Sequence, residues 1–192
     1  QLNVSRNVVR EALRILENAG LVRTRKGAHG GAFVAPGGTA QMTQVMGDLI
    51  LLNAISLEDL FEARTLLLEM VLDKVGQLDH PPNLEPLAKA VEETRAAVMA
   101  GDSARRVAAA RDFYHQIAEL SGNSALVFTT NAQTDLVQTF LRFRISDMEP
   151  EDLINSRVAF LEMLREGKFE DAKVELRQHL DRVHKSLWSK KS

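Results

Sequence analysis

The sequence predicts a mainly α chain, built as a small basic head on a larger all-helical body. Three observations carry this. Apolar residues make up 45% of the 192 residues but aromatics only 5%, so Leu, Ala and Val form the core, a composition that favours helices over sheets. Gly30-Gly31 and Pro36-Gly37-Gly38 punctuate the chain, and beyond about residue 40 neither a glycine cluster nor a strand-like alternation recurs. Charge divides at the same place: residues 1–35 hold six basic and two acidic side chains, the remainder 18 and 24. The division is therefore 1–36 for the head, 37–40 for a linker and 41–192 for the helical body.

A basic head on an acidic body points to a polyanionic partner for the head alone. The absence of cysteine excludes a disulfide framework and a thiolate metal site, and suits a reducing interior. No apolar run reaches the length of a membrane span and no signal-peptide pattern opens the sequence, so a cytoplasmic protein without a membrane partner is expected.

Within the head, residues 4–22 contain a short amphipathic helix. Ser5 is placed as its N-cap. Val9, Leu13 and Leu16 recur at i, i+4, i+7 and form the stripe expected to be buried. Arg6, Asn7, Arg10 and Arg14 fall on another face, and Gly20 ends the helix. Two short strands follow, about 21–25 and 32–35, around a glycine-rich tip carrying Lys26 and His29. A helix followed by a basic hairpin is the second half of a winged helix-turn-helix, in which the helix enters the major groove and the wing touches the backbone or minor groove. Arginine can hold a guanine edge bidentately and asparagine can read adenine. A merely solvated basic helix would have the same composition.

The motif itself is more specific. Val4-Ser5-Arg6, Val9-Arg10-Glu11-Ala12-Leu13, Leu16-Glu17, Gly20-Leu21-Val22 and Ala32-Phe33-Val34 closely resemble the DNA-binding domain of the GntR superfamily of bacterial transcription regulators. The resemblance implies that Ser5, Arg6, Asn7 and Arg10 contact double-stranded operator DNA from the recognition helix, and that Arg25, Lys26, His29 and Gly30 do so from the wing. The domain in that superfamily carries further helices before this point. Without them Val9, Leu13 and Leu16 lack a full burial surface, so the chain is expected to be a piece of a longer protein.

The body parses into seven helices at about 41–53, 57–78, 84–100, 103–120, 124–146, 150–166 and 169–188. Asn53, Pro81-Pro82, Gly101, Gly122, Pro150 and Gly167 separate them. Ser56 with Asp59 forms a capping-box variant, and Pro150 suits a first turn followed by Glu151 and Asp152. Short connections make this an antiparallel bundle. Phe61-Glu62-Ala63-Arg64 with Leu68-Glu69, then Phe113 to Asn123 and the last two helices, resemble the FCD ligand-sensing domain of the FadR subfamily. The resemblance implies an effector pocket inside the bundle and a homodimer, which would pair two DNA readers on a palindromic operator.

Many members of that subfamily hold a divalent metal through an Asp four residues before a His, and two further His on the last two helices. Carried onto this sequence, the first His falls on His115, with Arg111 in place of the acid. The second falls on Arg157 and the third on His179. Arginine is not an ordinary metal ligand. At an effective dielectric of about 20 and about 4 Å, each unit-charge repulsion costs roughly 4 kcal/mol, and a doubly charged ion doubles it. Guanidinium groups suit a carboxylate or phosphate instead.

The expected site is therefore a metal-free anion cluster of Arg111, His115, Arg157 and His179, with Arg64 a further member by position. Two alternatives stand beside it. The histidines and arginines can be core groups paired with bundle carboxylates, or Asp112, His115 and His179 can retain a metal. Arg142 and Arg144 belong to another helix. Phe113 and Tyr114 are expected to pack in the core, His80 to sit in a loop, and His184 and Trp188 to pack at a helix end. The implied function is a ligand-responsive DNA-binding repressor that senses a small acidic metabolite or a fatty acyl compound, and not an enzyme. A metal-dependent sensor or hydrolase-like site using His115, His179 and Asp112, and a ligand-free interaction bundle, are the alternatives.

Overall fold

In the computed structural model, the structure describes residues 4–27, 29–35, 38–141 and 150–188. Helix α1 (Arg6–Asn18) begins where Ser5 caps it, the serine hydroxyl accepting the Val8 amide at 3.3 Å. Strands β1 (Val22–Arg25) and β2 (Gly31–Val34) pair antiparallel from Val22↔Val34 to Arg25↔Gly31. The tip admits only glycine at position 30, where a Cβ would lie 2.4 Å from the Arg25 carbonyl oxygen. Both strands lie within one residue of the expected spans.

The apolar stripe of α1 lacks a full burial surface, as expected. Val9 and Leu16 are each 37% exposed and no residue of α1 is buried. One short helix plus a two-stranded ribbon offers too little apolar surface to cover three aliphatic side chains. The head is held instead by a polar clamp: Glu17 accepts both the amide and the hydroxyl of Thr24, at 3.0 and 2.6 Å. This fixes the wing against the helix that precedes it.

The body consists of α2 (Ala40–Leu51), α3 (Leu57–Gly76), α4 (Glu85–Met99), α5 (Ser103–Glu119), α6 (Ser124–Leu141), α7 (Pro150–Arg165) and α8 (Phe169–Trp188). Their order matches the seven expected helices. The Ser56–Asp59 capping box forms in both directions, and α7 opens on Pro150 with Glu151 and Asp152 in its first turn. Arg142, Arg144, Lys190 and Lys191 lie outside the described residues.

Six of these helices close a ring. In packing order it runs α3, α6, α5, α4, α7, α8 and back to α3, with α2 laid outside on α6. Two apolar clusters fill it. The larger joins Leu68, Leu72 and Val75 of α3 to Leu87, Phe113, Ile117, Phe160, Leu176 and Leu180. The smaller joins Leu60 and Phe61 to Leu136, Val137 and Val183. On α3 the residue between the two clusters is Arg64, which is fully buried. A polar layer thus separates two hydrophobic ones.

Candidate functional site

The polar layer draws side chains from the ring helices. Arg64 of α3 is 0% exposed, Arg157 of α7 4% and His179 of α8 2%. Tyr114 of α5 stands among them. The Arg64 guanidinium lies 4.0 Å from the centroid of the Tyr114 ring. Arg157 lies 4.5 Å from that of Phe113 and 5.8 Å from that of Tyr114. Arg157 also donates to the Thr94 hydroxyl of α4 at 2.7 Å, and that hydroxyl donates to the Ala90 carbonyl.

The hydrogen bonds of His179 define its state. Ser156 Oγ bonds Glu175, and Arg182 donates to Ser156 Oγ at 2.7 Å. With the serine proton directed to the carboxylate, Nδ1 of His179 is the donor in its 3.0 Å contact to Ser156. Nε2 then accepts the Tyr114 hydroxyl proton, also at 3.0 Å. This assigns the neutral Nδ1–H tautomer by accounting for donors and acceptors. Burial, reinforced by Arg157, Arg182 and Arg64, holds His179 well below the usual histidine range.

The arginines are short of partners. Nε and one terminal nitrogen of Arg64, and Nε of Arg157, have no hydrogen-bond acceptor. No carboxylate among the described residues pairs with either. Burial lowers the pKa of both guanidiniums, and the Tyr114 hydroxyl offsets part of that effect. Arg64 reaches one imidazole, Nε2 of His184 at 3.4 Å. His184 stacks on Phe61 with centroids 4.1 Å apart. That pair also lines a groove of about 620 Å³ between α3 and α8, so His184 is the layer between the groove and Arg64.

The structure divides the five expected effector residues into two groups. Arg64, Arg157 and His179 meet around Tyr114. Arg111 and His115 sit on a different face of α5 and meet Asp135 of α6: His115 Nε2 is 3.1 Å and Arg111 Nε 3.9 Å from its Oδ1. Successive helical residues are about 100° apart, so when Tyr114 points to the ring centre its neighbour His115 points towards α6. Burial lowers the His115 pKa against the opposing effect of Asp135. Asp135 also accepts the Thr39 hydroxyl at 2.6 Å, at the N-cap of α2 next to the linker. Thr43 of α2 adds a bond to the Ala132 carbonyl.

The alternative metal set is dispersed in the same way. Asp112 is exposed and accepts from Gln116, His115 faces Asp135, and His179 is enclosed by Ser156 and Tyr114. Among the described residues no three His, Cys, Asp or Glu side chains gather. The residues present do not fit a divalent cation. The Nε2 lone pair of His179 is engaged by a hydroxyl proton, and two guanidiniums share the layer.

Sequence reasoning missed Tyr114, Thr94, Ser156, His184 and Asp135 as site residues. A signal existed for Tyr114. Ala110, Phe113, Tyr114, Ile117 and Ala118 share the buried phase of α5, and Arg111 with His115 falls outside it.

In the head, Arg6, Asn7 and Arg10 are exposed on α1, and Arg25, Lys26, His29 and Gly30 are exposed along the wing. Arg25 lies over the Phe33 ring at 5.5 Å, which orients it along the ribbon. The Ser5 side-chain oxygen is already occupied as the cap.

The buried histidines set a pH dependence. Burial and Arg64 push His184 from 6.5 down to about 3. Between these values the unfolded chain binds the proton and the folded one does not, so stability falls as the pH falls. At pH 5 His184 alone contributes a loss of about 2 kcal/mol relative to neutral pH. Urea melts at pH 7.5 and 5 should show at least this difference, and His184→Phe should flatten it. An unchanged slope in that variant would remove His184 as the cause.

A winged head joined to a closed helical body defines a class of two-part regulators, and comparison with known proteins agrees. The family model of the FCD domain matches residues 59–182. No curated protein matches the chain. Solved structures match over nearly its whole length. GntR of Streptococcus agalactiae superposes with a TM-score of 0.71 at 23% identity, covering 96% of this chain and 84% of that one. A GntR-family transcriptional regulator of Pseudomonas syringae pv. tomato shares 26% identity at a TM-score of 0.54, covering 98% and 74%. McbR/YncC of E. coli shares 19% at 0.62, covering 98% and 82%.

The chain belongs to the FCD-domain family of GntR-type regulators. The GntR-family transcriptional regulator of Pseudomonas syringae is among the structures it resembles, at 26% identity. Among the described residues no helix is long and apolar enough to cross a membrane.

Proposed function

We propose that this protein is a cytoplasmic, homodimeric repressor of the FadR subfamily that releases its operator when an acidic ligand enters the helical ring. The observation that carries this is the pair of buried arginines without a carboxylate partner. A buried guanidinium left without acceptors is costly, and bidentate binding of a carboxylate removes that cost. Arg64 and Arg157 are the anion-binding groups in this reading. Tyr114 and the neutral His179 orient them, and no metal takes part. Ligand enters from the groove between α3 and α8 by displacing His184.

The head supplies the DNA contacts, from Arg6, Asn7 and Arg10 on α1 and from Arg25, Lys26 and His29 on the wing. Lys26→Ala should weaken operator binding about equally on all sequences and reduce the salt slope by about one. Arg10→Ala should instead relax specificity at one position, at a cost of about 1–3 kcal/mol. Salt slopes that do not move in either variant would place the DNA surface elsewhere.

Communication runs through α5 and α6. Tyr114 and His115 are consecutive, and His115 meets Asp135, which holds Thr39 at the start of α2. A ligand that shifts Tyr114 therefore disturbs the anchor of the linker. A thermal-shift series with carboxylates and their neutral amides tests the anion reading. Carboxylates should raise the melting temperature, amides should not, and Arg157→Ala should cancel the rise. Equal shifts from acids and amides would sink it.

A further inference from the structure

We propose that Glu17 is the positioning residue of the wing: its clamp on Thr24 turns Arg23 and Arg25 to the DNA side of the ribbon, even though it places a negative charge beside the polyanion. This rests on the DNA-binding reading above and adds what aims the wing contacts.

The ribbon has little else to hold it. A two-stranded hairpin is marginal by itself in water, and no residue of β1 or β2 is buried. Its base is tied by backbone bonds, from the Leu21 amide to the Leu16 carbonyl and from the Ala35 amide to the Leu21 carbonyl, both 2.9 Å. Beyond the base, the bonds of Thr24 to Glu17 are the only side-chain hydrogen bonds joining α1 to the ribbon among the described residues. One carboxylate oxygen, Oε1, accepts both the amide and the hydroxyl. These bonds hold the Glu17 carboxyl below the usual carboxylate range, so it is charged at neutral pH.

Strand alternation turns this anchor into an aiming device. Successive side chains of a strand point to opposite faces. With Thr24 held towards α1, Arg23 and Arg25 are directed to the other face. Arg23 pairs across the ribbon with Phe33, and Arg25 with Gly31, so these four positions share that outer face. Gly31 leaves room there for the Phe33 ring, which a Cβ at position 31 would meet at 3.7 Å. The Arg25 guanidinium lies over the same ring at 5.5 Å. Arg23, Arg25 and Phe33 are all exposed. They make a cationic face with one aromatic platform, on the side of the ribbon opposite the clamp.

A carboxylate is otherwise misplaced in this head. Residues 1–35 carry six basic side chains and only two acidic ones, Glu11 and Glu17. A negative charge on a surface that meets phosphate opposes binding. Charge and positioning therefore predict opposite signs. If Glu17 acted through its charge alone, any neutral residue there would strengthen DNA binding. As a positioning residue it tolerates glutamine, whose amide oxygen can accept the same two bonds, but not alanine.

The test is titration of the full chain with a duplex that the wild-type protein selects from random DNA. Glu17→Ala should weaken binding about tenfold. Glu17→Gln should bind as tightly as wild type or more tightly. Thr24→Val keeps a strand-forming residue and the amide bond but loses the hydroxyl, and should fall between the two. A double-mutant cycle supplies the readout that a merely structural role would not move. Arg25→Ala should weaken the wild-type protein about tenfold but the Glu17→Ala protein less than about twofold, although Glu17 bonds Thr24 and not Arg25. Arg10→Ala, on the recognition helix, should cost the same in both backgrounds, which separates a misaimed wing from an unfolded head. Equal changes in Glu17→Ala and Glu17→Gln, or an Arg25→Ala effect of the same size in both backgrounds, would overturn the proposal and leave the DNA reading in place. Loss of the Arg10 effect together with the Arg25 effect would make Glu17 a structural strut and overturn it as well. If neither Arg10→Ala nor Lys26→Ala changes the affinity of the wild-type protein, the DNA reading itself fails.

Discussion

Arg64→Met is expected to raise the stability of the ligand-free protein while abolishing its response to carboxylates. The sign is opposite to that of most substitutions at fully buried positions, which destabilise. Arg64 has no carboxylate partner among the described residues, and two of its nitrogens lack any acceptor. Each buried unpaired donor costs about 1–3 kcal/mol. Against this stand the contact with the Tyr114 ring, at 4.0 Å, worth about 2 kcal/mol when desolvated, and one long hydrogen bond to His184. Methionine keeps an unbranched stem of similar reach and packs on aromatic rings. The net gain should be about 1–3 kcal/mol, a rise of several degrees for a chain of this size.

The same substitution removes one of the two proposed anion-binding groups, so the carboxylate-induced shift should vanish. It should also raise the pKa of His184, since Arg64 is the charged neighbour that helps hold it down, and so soften the pH slope. A fall in melting temperature with the carboxylate shift intact would show Arg64 to be a structural strut. Stability gained at the expense of function is the pattern expected where a site is preorganised for a ligand charge.

The helix ends were legible because their determinants are local. Ser5 and Ser56 cap with their own side chains. Asn53, Gly101, Gly122 and Gly167 each take positive φ just past a helix, a conformation few other residues tolerate. The GntR and FCD motifs are likewise patterns of neighbouring residues. What remained hidden depended on helix phase and on distant partners. Tyr114 and His115 are adjacent and both polar at the tip, and composition alone does not say which turns inward. The neighbouring apolar residues of α5 do, once Phe113 and Ile117 are placed in the core.

The polar layer was half legible. Arg157 and His179 were found by motif, yet their partners Thr94, Tyr114 and Ser156 lie on helices 23 to 65 residues away. The α1 stripe, expected to lack a full burial surface, shows the same dependence on distant partners. Its period was read correctly, but burial requires a surface to bury against, and the hairpin is too small to provide it.

The Asp135 junction yields the second large effect. Asp135→Ala should uncouple ligand binding from DNA binding while leaving each nearly intact. Its carboxylate bonds Thr39 at 2.6 Å and His115 at 3.1 Å, tying the first residues of α2 to ring helices α5 and α6. It touches neither buried arginine, so affinity for a carboxylate should change by less than about threefold. It lies outside the head, so basal affinity for an operator duplex selected from random DNA should hold as well. The quantity that should collapse is the ligand-induced change in operator affinity. Coupling of this kind is typically about 1–3 kcal/mol, and linkage requires the same factor whether the ligand acts on DNA binding or DNA on ligand binding. Both directions should fall together to below about twofold. Asp135→Asn, which keeps an acceptor for Thr39 but loses the charge facing Arg111, should retain part of the coupling. Thr39→Ala should reproduce most of the loss from the other side of the bond. If all three variants keep the wild-type coupling, the signal travels by another path, through the remaining contact of Thr43 with the Ala132 carbonyl or across the packing of Gly47 on Leu136. If the ring centre binds a charged ligand, as proposed, its signal needs a helix pair that reaches both the centre and the linker, and α5 with α6 is such a pair.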